Sequence, residues 1–569
     1  MSQTKYIIVT GGVISGVGKG IATASIAKIL KERGFSVTAV KIDPYINYDA
    51  GTLRPTEHGE VWVTDDGGEI DQDLGNYERF LNQTIPKKNN ITTGQVYKAV
   101  IDRERNGEYL GETVQFIPHI PDEIKRRIYD AAKGYDFVVV EIGGTAGDYE
   151  NIPFLFAAKS MEVELGRENV AHVLVSYMPV PPNIGEMKSK PTQQAIRMLN
   201  ENGIYVDFVL CRSTEPVDDV RKKKIGLYAN IPAENIIAAP DVRSIYEVPL
   251  NFEKEKLGEK LMKRLCVTPK AKGDWAEWRK LVDGIISPKK LVDVAIVGKY
   301  VDIGNYNLSD SYISVNQSLD HAGANAGTGV RIQWIDSKKM ENKNNLIVLN
   351  DYGGIIIPGG FGSSGVEGKI NAIEYARKNN IPYLGLCYGM QLAVVEYARN
   401  VCNMDANTTE VAPSCSDPVI DILPEQKAIL ATSRYGATMR LGSYGATLRP
   451  SKIFDLYRKT GRLAADTAAS RKLEKSRMGK TKGEHIVLER HRHRFEVNPA
   501  YIEKLEKAGM VFPGFHVTES GVKLMEFMEL PNHPFFVGTQ AHPEFKSRLE
   551  SPAPLFLGFI EACLKRAVK

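Results

Sequence analysis

Cys387 lies in a sequence setting that suits a nucleophile. It follows an apolar run typical of a strand, and Gly385 and Gly389 stand two positions before and after it. This spacing is the thiol counterpart of the nucleophile elbow, in which small residues permit the strained turn that exposes the reactive side chain. A helix predicted directly after Cys387 would favour its thiolate form. The pattern therefore predicts covalent catalysis by a thiolate.

Two other segments of the same half carry groups that would complete such a site. His542 and Glu544 are two positions apart, so an extended backbone would point both side chains to one side. Glu544 could then orient His542 while His542 activates Cys387. The glycine-rich residues 358–362 follow an apolar strand and can aim backbone N–H groups at an oxyanion. A lone cysteine is usually structural, but these three pieces together predict a Cys-His-Glu triad.

The first half carries a glycine-rich loop at residues 11–20, between a predicted strand at 6–10 and a predicted helix at 21–33. Glycines let backbone N–H groups point inward, and the N-terminus of a helix favours negative charge. Lys19 would add a positive charge near the β- and γ-phosphates of a nucleotide. The loop therefore predicts a phosphate site.

This loop departs from the common phosphate-loop pattern, because Val13 and Gly20 stand where a glycine and a Ser or Thr are expected. Without that hydroxyl group, a magnesium ion needs other oxygen ligands. Glu141 ends an apolar strand, as in a Walker B strand, and residues 71–73 supply further carboxylates.

Short apolar runs alternate with helical patterns along the whole chain, which is typical of buried parallel strands in βαβ units. The sequence therefore predicts an α/β fold with two doubly wound, mostly parallel sheets. The predicted strands include residues 6–10, 36–41, 137–142, 170–177, 206–211, 293–298, 354–358 and 382–386.

A chain of 569 residues is too long for one hydrophobic core, so two domains are expected. We place the first domain at 1–272, a partly helical linker at 273–290, and the second domain at 291–569. Residues 443–483 are expected to be a surface insertion, and their basic run at 471–477 indicates a solvated helix or a mobile loop.

Composition excludes several classes of protein. Hydrophobic residues make up 43% and charged residues 25% of the chain, as in ordinary globular proteins. The net charge of +4 is too small for a protein that coats nucleic acid. No signal peptide or membrane-spanning run is predicted, and the six cysteines form no CxxC pair, so we expect a reduced, cytoplasmic protein.

The segments that carry the candidate chemistry resemble known families. Residues 358–362, 385–391 and 540–545 resemble the three signatures of the triad-type glutamine amidotransferases. The whole chain, from Lys5 to about Phe556, resembles the CTP synthase family. The distinctive stretches are residues 10–20, 41–47, 58–61, 141–145, 188–193, 438–442 and 490–498.

This resemblance implies a P-loop NTPase-like synthetase domain followed by a flavodoxin-like glutamine amidotransferase domain. It implies a ligase of pyrimidine nucleotide biosynthesis that aminates UTP with ammonia from glutamine, with ATP as co-substrate and Mg²⁺ as cofactor. GTP would activate the enzyme through a lid that includes residues 436–442, and CTP would inhibit it. A homo-tetramer is implied, filament formation is left open, and no nucleic-acid or membrane partner is expected.

The resemblance also implies roles for individual residues. The catalytic residues are Cys387, His542, Glu544, Lys19 and Lys41, and the metal ligands are Asp73 and Glu141. The ATP-binding residues are Gly16, Val17, Gly18, Lys19, Gly20, Ile21, Asp73, Asp241 and Val242. The UTP- and CTP-binding residues are Ser15, Asp148, Tyr149, Glu150, Lys188, Ser189, Lys190, Pro191, Thr192, Gln193 and Lys224. The glutamine-binding residues are Gly360, which also serves the oxyanion, Tyr388, Gly389, Met390, Gln391, Glu410 and Arg494. The ammonia path is lined by Pro55, His58 and Val61.

The chain departs from the family pattern at a few positions. Tyr388 stands where Leu is common, and Arg243 replaces an acidic residue that contacts adenine. Three alternatives were weighed: another amidotransferase such as a GMP synthetase, a partition-type P-loop ATPase, and a catalytically idle assembly protein. The phosphate loop disfavours the first two, and the intact triad disfavours the third.

Overall fold

The computed structural model describes residues 3–12, 14–54, 59–299, 312–422 and 439–567. By their internal contacts, the described residues within 1–53 and 69–282 form a first unit. Those within 54–68 and 283–569 form a second unit. Among the described residues, no helix is both long enough and apolar enough to cross a membrane.

The strands are, in chain order, β1 Lys5–Gly12, β2 Val37–Asp43, β3 Val61–Val63, β4 Glu69–Asp71, β5 Asn90–Thr92, β6 Phe137–Ile142, β7 Val170–Tyr177, β8 Phe208–Ser213, β9 Ile236–Pro240, β10 Leu291–Gly298, β11 Gly329–Asp336, β12 Gly354–Ile357, β13 Tyr383–Leu386, β14 Ala406–Thr408, β15 Asp417–Ile422, β16 Arg440–Leu448, β17 Ile486–His493, β18 Phe495–Val497, β19 Val511–Val517, β20 Lys523–Glu529 and β21 Phe536–Thr539.

The α-helices are α1 Lys19–Glu32, α2 Asp73–Leu81, α3 Thr93–Arg105, α4 Phe116–Ala132, α5 Ile152–Leu165, α6 Lys190–Glu201, α7 Asp219–Ala229, α8 Val248–Lys254, α9 Leu257–Arg264, α10 Ala276–Ile286, α11 Ile313–Ala326, α12 Val366–Lys378, α13 Tyr388–Asn400, α14 Lys452–Lys459, α15 Arg462–Ser470, α16 Lys475–Met478, α17 Ile502–Lys507 and α18 Pro554–Ala567. Short 3₁₀ helices occur at Lys87–Asn89, Tyr149–Asn151, Arg167–Asn169, Ala233–Asn235, Ile245–Glu247, Ser337–Glu341, Lys343–Asp351, Pro499–Tyr501 and Pro543–Lys546.

The first unit is built on a parallel sheet with the strand order β5-β2-β6-β1-β7-β8-β9. Its central strands are buried along their length, which explains their continuous apolar sequences. The carboxyl ends of β2, β6 and β1 lie side by side at one edge of the sheet. Ligands of open α/β sheets bind at such an edge, so the strand order places the predicted phosphate loop where a nucleotide site is expected.

Most of the expected linker is the helix α10, and this helix packs on the first unit. Trp278 is buried against Phe80 and Tyr246, with ring centres 5.7 Å from each. Its indole N–H donates to the carbonyl oxygen of Tyr246 at 2.9 Å. The division between the two units follows residue 282. The domain limits given above stay a prediction.

The second unit contains a sheet with the order β11-β10-β12-β13-β21-β20-β19-β16-β17. Its first five strands are parallel. Numbered by their own order along the chain, they run 2-1-3-4-5, which is the flavodoxin-like order. The other four strands are antiparallel and extend the sheet beyond β21. Both sheets agree with the predicted α/β class, and all eight predicted strand segments are strands.

The structure differs from the expectation that residues 443–483 are a solvated insertion. Strand β16 includes residues 443–448 and pairs with β17. Helices α14 and α15 bury Ile453, Tyr457 and Leu463 in the core of the second unit. The basic run alone favours a solvated segment, and most of it is indeed exposed around α16, but the apolar residues at helical spacing before it are buried.

Candidate active sites

The predicted phosphate loop turns into α1 through two glycines with left-handed backbone angles. Gly16 has φ of 71° and Gly18, the residue before the helix, has φ of 92°. The buried Lys19 side chain donates from Nζ to the carbonyl oxygen of Gly144 at 2.6 Å. A Cβ on Gly11 would lie 2.7 Å from Lys19 Nζ. Glycine at position 11 therefore gives the ammonium group its room beside the loop.

Lys41, at the end of β2, joins the two carboxylates that were predicted as metal ligands. Its ammonium group donates to Asp73 and, at 3.0 Å, to Glu141 Oε1. Tyr77 donates its hydroxyl to the other oxygen of Glu141. Burial alone would lower the pKa of Lys41, but Asp73 and Glu141 raise it well above its ordinary value. Lys41 is therefore a permanent cation in this site.

Carboxylates outnumber ammonium groups around Lys41. The carboxylates are those of Asp43, Asp71, Asp73 and Glu141, and the ammonium groups are those of Lys19 and Lys41. Burial raises the pKa of Asp71 to about 7, with Asp73 and Asp43 adding to the rise against the opposing effect of Lys41. The cluster thus lacks positive charge.

A divalent cation fits this donor set. Magnesium prefers oxygen ligands and is commonly held by one or two carboxylates, the substrate phosphates and water. Within the residues that the structure describes, no group of three or more His, Cys, Asp or Glu side chains is arranged to hold a metal ion by itself. The protein residues here suit a magnesium ion that arrives with nucleotide phosphates.

Gly20 explains the departure from the common loop pattern. A Cβ at this position would lie 2.0 Å from Asp73 Oδ1 and 2.7 Å from its Cγ. The carboxylate of Asp73 therefore occupies the space that a Ser or Thr side chain would take. Any side chain at position 20 would therefore require Asp73 to move.

Beside the loop lies a cavity of about 210 Å³. It is lined by Gly18, Ile21, Asp241 and Val242 from the predicted ATP set, together with several apolar side chains. Arg212, at the end of β8, also lines it and donates to Asp241 Oδ1 at 2.7 Å. Sequence reasoning missed Arg212, because a single arginine at a strand end carries no motif.

The residues predicted to bind UTP and CTP are only partly assembled. Gln193 and Lys224 line a shallow, open depression of about 580 Å³ at the surface, whose lining does not include Ser15 or residues 148–150. Asp148 accepts hydrogen bonds from the backbone and the hydroxyl of Thr145, at 2.6 Å and 2.9 Å. Tyr149 and Glu150 are exposed.

The other predicted members of this set lie at or near the start of α6. Lys188 forms an ion pair with Glu186 at 2.7 Å, and Ser189 accepts from Gln193 at 3.2 Å. Lys190 and Pro191 open the helix, and Thr192 is buried.

In the second unit, Cys387 lies at the turn between β13 and α13. Its backbone has φ of 50° and ψ of −99°, a conformation that costs a non-glycine residue about 1–3 kcal/mol. Its N–H donates to the carbonyl oxygen of Thr539 at 2.7 Å, which holds the turn. A Cβ on Gly389 would lie 2.1 Å from the carbonyl oxygen of Ile357. The elbow predicted from the glycine spacing is present.

His542 pairs with Glu544 through Nδ1 and Oε1 at 2.7 Å. Burial would lower the pKa of His542, but Glu544 and Cys387 raise it to about 10. The imidazole is therefore protonated at neutral pH and faces the thiol as an imidazolium. The prediction of an extended backbone was wrong, because Pro543–Lys546 forms a 3₁₀ turn and this turn brings Glu544 back to His542.

The predicted glutamine-binding residues surround the glycine-rich turn after β12. The carboxylate of Glu410 accepts a hydrogen bond from the N–H of Gly362 at 2.9 Å. The hydroxyl of Tyr388 donates to the carbonyl oxygen of the same Gly362 at 3.0 Å. A Cβ on Gly359 would lie 2.8 Å from His542 Cε1, so the turn approaches the histidine closely. The turn, Tyr388 and Glu410 thus lie next to the predicted triad.

Other members of the predicted glutamine set have different surroundings. The side-chain amide of Gln391 donates to the carbonyl oxygen of Phe495 at 2.9 Å. Phe495 directly follows Arg494, another member of the predicted set. Met390 points into the hydrophobic core, so only its backbone is left for a ligand. Burial raises the pKa of Glu410, and positive charge from Arg494 opposes that rise.

Two polar residues near the thiol were missed. Gln540 directs its amide at Cys387 Sγ, 3.7 Å away. Lys369 is buried, with Nζ 3.7 Å from where a Cβ of Gly360 would lie, and burial lowers its pKa to about 8. A single lysine in a helix ordinarily indicates a solvated face, so its sequence gave no signal.

Part of the predicted ammonia path and lid lies outside the described residues. This applies to Pro55, His58 and residues 436–438. Val61 is described and is buried in β3 within the second unit.

Comparison with known proteins shows similarity along both halves. A family model described as CTP synthase N-terminus matches residues 5–267. A model described as glutamine amidotransferase class-I matches residues 307–562.

The chain is 50% identical over 565 residues to the CTP synthase of Thermococcus gammatolerans, covering 99% of each chain. It is 47% identical over 577 residues to that of Methanocaldococcus jannaschii, covering 100% of each. A solved glutaminase domain of Trypanosoma brucei CTPS with bound acivicin is 34% identical, with a TM-score of 0.40, over 48% of this chain and 94% of that one.

Replacing Gly20 by Ser tests the close approach of Asp73. We expect ATP-dependent activity with ammonia to fall by at least about a hundredfold, because the new side chain displaces Asp73 from Lys41. Gly20→Ala should be as harmful, since the clash belongs to Cβ rather than to the hydroxyl. Initial rates with ammonia as nitrogen source measure the effect, and glutamine hydrolysis serves as the control. Parent-like rates in Gly20→Ala would contradict this account.

The Glu544→Gln variant tests the charge on His542. The carboxylate contributes to raising the pKa of His542 to about 10, so the imidazolium is lost only as pH rises through that value. Without the carboxylate the pKa falls, and the alkaline limb of glutamine hydrolysis should move down by at least about one pH unit. The rate of glutamate release against pH measures this, with the exposed Glu519→Gln as control. If the alkaline limb stays at the pH of the parent, Glu544 does not determine the charge on His542.

Proposed function

Because the chain belongs to the CTP synthase family, which forms CTP from UTP, ATP and glutamine, we propose how its two units divide that reaction. The second unit releases ammonia from glutamine at Cys387. The first unit uses ATP to activate UTP for attack by this ammonia. The sum is UTP, ATP, glutamine and water giving CTP, ADP, phosphate and glutamate.

The observation that carries the proposal for the second unit is the pairing of His542 with Glu544 beside the thiol of the strained elbow. The Cys387 thiolate attacks the amide carbon of glutamine, and backbone N–H groups of the turn at Gly360 receive the negative charge that develops on oxygen. His542 gives its proton to the departing nitrogen, and ammonia leaves. The neutral imidazole then accepts a proton from water, which attacks the thioester and releases glutamate.

In the first unit, the difficulty is that the uracil carbonyl oxygen is a poor leaving group. Transfer of the γ-phosphoryl group of ATP to O4 of UTP makes that oxygen a phosphate, with ADP as the other product. Ammonia then attacks C4 and phosphate departs. Lys19 and Lys41 would stabilise the negative charge of the phosphoryl group in transfer. Magnesium held by Asp73 and Glu141 would supply further positive charge.

We assign the adenine end of ATP to the cavity lined by Ile21, Asp241 and Val242. Its size, its largely apolar lining and its position beside Gly18 support this. Arg243 is exposed and does not line the cavity. We therefore assign it no contact with adenine, although it stands where other family members have an acidic residue that makes one. Arg212 is the cation that we add to this site.

The regulatory and assembly features are proposals supported by family membership. GTP activates glutamine hydrolysis, CTP inhibits at the UTP site, four copies of the chain assemble, and the enzyme works in the cytoplasm. Ammonia reaches UTP along a path that includes Pro55, His58 and Val61, which keeps it unprotonated. Full-length similarity to CTP synthases disfavours the three alternatives named in the sequence analysis.

Removing the thiol should separate the two activities. Cys387→Ala is expected to abolish CTP formation from glutamine and to leave formation from ammonium salts within about twofold of the parent, since only glutamine hydrolysis needs a thiolate. The half-buried Cys402→Ala is the matched control. The measurement is absorbance change at a wavelength where CTP exceeds UTP, with and without magnesium. Normal synthesis from glutamine in Cys387→Ala would refute the nucleophile assignment.

Glu150 is the residue through which we expect the pyrimidine site to distinguish product from substrate. Its carboxylate can accept a hydrogen bond from the amino group of cytosine, which UTP lacks. Glu150→Ala should therefore weaken CTP inhibition several-fold more than it raises the UTP requirement. Inhibition series at several UTP concentrations compare it with the parent and with the exposed Glu108→Ala. Equal loss of UTP and CTP affinity would show that Glu150 does not discriminate.

A further inference from the structure

Residues 59–68 are an internal part of the second unit, although Leu53 and Glu69 on either side belong to the first. Within this segment, Trp62 and Val63 have no exposed surface and Val61 is buried. A buried aromatic residue usually serves only packing. Trp62 and Asp65, however, contact Phe545 and Arg490, which lie in or against the turn that begins at His542.

Asp65 is paired with a fully buried arginine. Its Oδ1 lies 2.5 Å from Arg490 Nε, and it also accepts from the hydroxyl of Ser443 at 2.8 Å. Burial would raise the pKa of Asp65, but Arg490 lowers it far below its ordinary value. The two groups are therefore both charged, and each fixes the position of the other.

Arg490 in turn holds the turn that begins at His542. The carbonyl oxygen of Arg490 accepts the N–H of His542 at 2.7 Å. Its guanidinium donates to the carbonyl oxygen of Phe545 at 3.0 Å. One arginine thus binds both ends of the turn that carries His542 and Glu544, and Asp65 holds that arginine in place.

Trp62 reaches the same turn through aromatic contacts. Its ring meets Phe545 edge to face, with centres 5.2 Å apart. Phe545 is stacked on the imidazole of His542 at 5.3 Å, with the planes 23° apart. Such pairs prefer defined geometries, so Trp62 sets the plane of Phe545 and Phe545 sets the plane of His542.

A third contact reaches the backbone of Glu544. Glu60 accepts the N–H of Ser314 at 3.0 Å and also its hydroxyl, at the start of α11. One turn along this helix, Ser318 donates to the carbonyl oxygen of Glu544 at 3.4 Å. The segment thus contacts the surroundings of both His542 and Glu544.

We propose that Trp62 and Asp65 are positioning residues for the His542–Glu544 pair, so that glutamine hydrolysis depends on a segment outside the amidotransferase sequence. This rests on the proposed role of His542. His542 must face Glu544 through one ring nitrogen and Cys387 through the other. A rotation or displacement of about 1 Å would disturb both contacts and can cost about a hundredfold in rate.

The test compares Trp62→Leu, Trp62→Phe and Asp65→Asn in the full-length protein. The readouts are glutamate release against pH, the pH dependence of Cys387 alkylation by iodoacetamide, and CTP formation from ammonium salts. Trp62→Leu and Asp65→Asn should lower the turnover number for glutamine roughly ten- to a hundredfold and move the alkaline limb to lower pH. Trp62→Phe, which keeps a ring beside Phe545, should recover most of the rate. Synthesis from ammonia should stay within about twofold of the parent, as in the control Trp275→Leu in the first unit.

Several outcomes would overturn the inference. An unmoved pH profile, with losses that follow only a lower unfolding temperature, would assign Trp62 and Asp65 to packing. A raised ratio of glutamate to CTP with an unmoved profile would assign them to ammonia transfer. His542→Asn in the same series separates the catalytic role of His542 from the positioning role of Trp62 and Asp65. If it hydrolyses glutamine normally, the proposed function fails; if it is inactive while Trp62→Leu is unaffected, only the positioning inference fails.

Discussion

Steric room at a glycine in the first turn of a helix is the constraint on which both candidate sites depend. Each site begins where a buried parallel strand ends and the backbone must turn sharply within contact distance of other atoms. At Gly20 the nearby atom is a carboxylate oxygen, and at Gly389 it is a carbonyl oxygen, each about 2 Å from where a Cβ would lie. No side chain can replace hydrogen there without moving a group that the chemistry needs.

The two sites use burial in opposite ways. In the first unit, Lys41 binds two carboxylates, but four carboxylates surround two ammonium groups, so the cluster is short of positive charge. In the second unit, the thiol, imidazole and carboxylate are already matched, because Glu544 offsets the burial of a protonated His542. The first cluster thus has unmatched negative groups, whereas in the second the imidazolium of His542 is matched by the carboxylate of Glu544.

Sequence patterns predicted what is local and missed what depends on tertiary contacts. The strands, the elbow at Cys387 and the pairing of His542 with Glu544 follow from short spacings, although the pairing needed a turn rather than an extended segment. Arg212 and Lys369 carry no motif, because their positions near a site come from strands and helices distant in sequence. The helices α14 and α15 were misjudged because a basic run outweighed three apolar residues. The convergence of Asp65 on Arg490, across 425 positions, could not be read from any window of sequence.

The buried segment at residues 59–68 has a consequence for recombination between relatives. A chimera that takes the first unit from one family member and the second from another would naturally be joined after residue 282. That junction leaves residues 59–68 of one parent inside the second unit of the other, next to its counterparts of Arg490 and Phe545. Where these residues differ between the parents, an exchange that keeps the segment with its own second unit needs three crossovers, one on each side of the segment as well as the one after residue 282. Interchangeability of the two halves would then depend on ten residues that lie far from the junction in sequence.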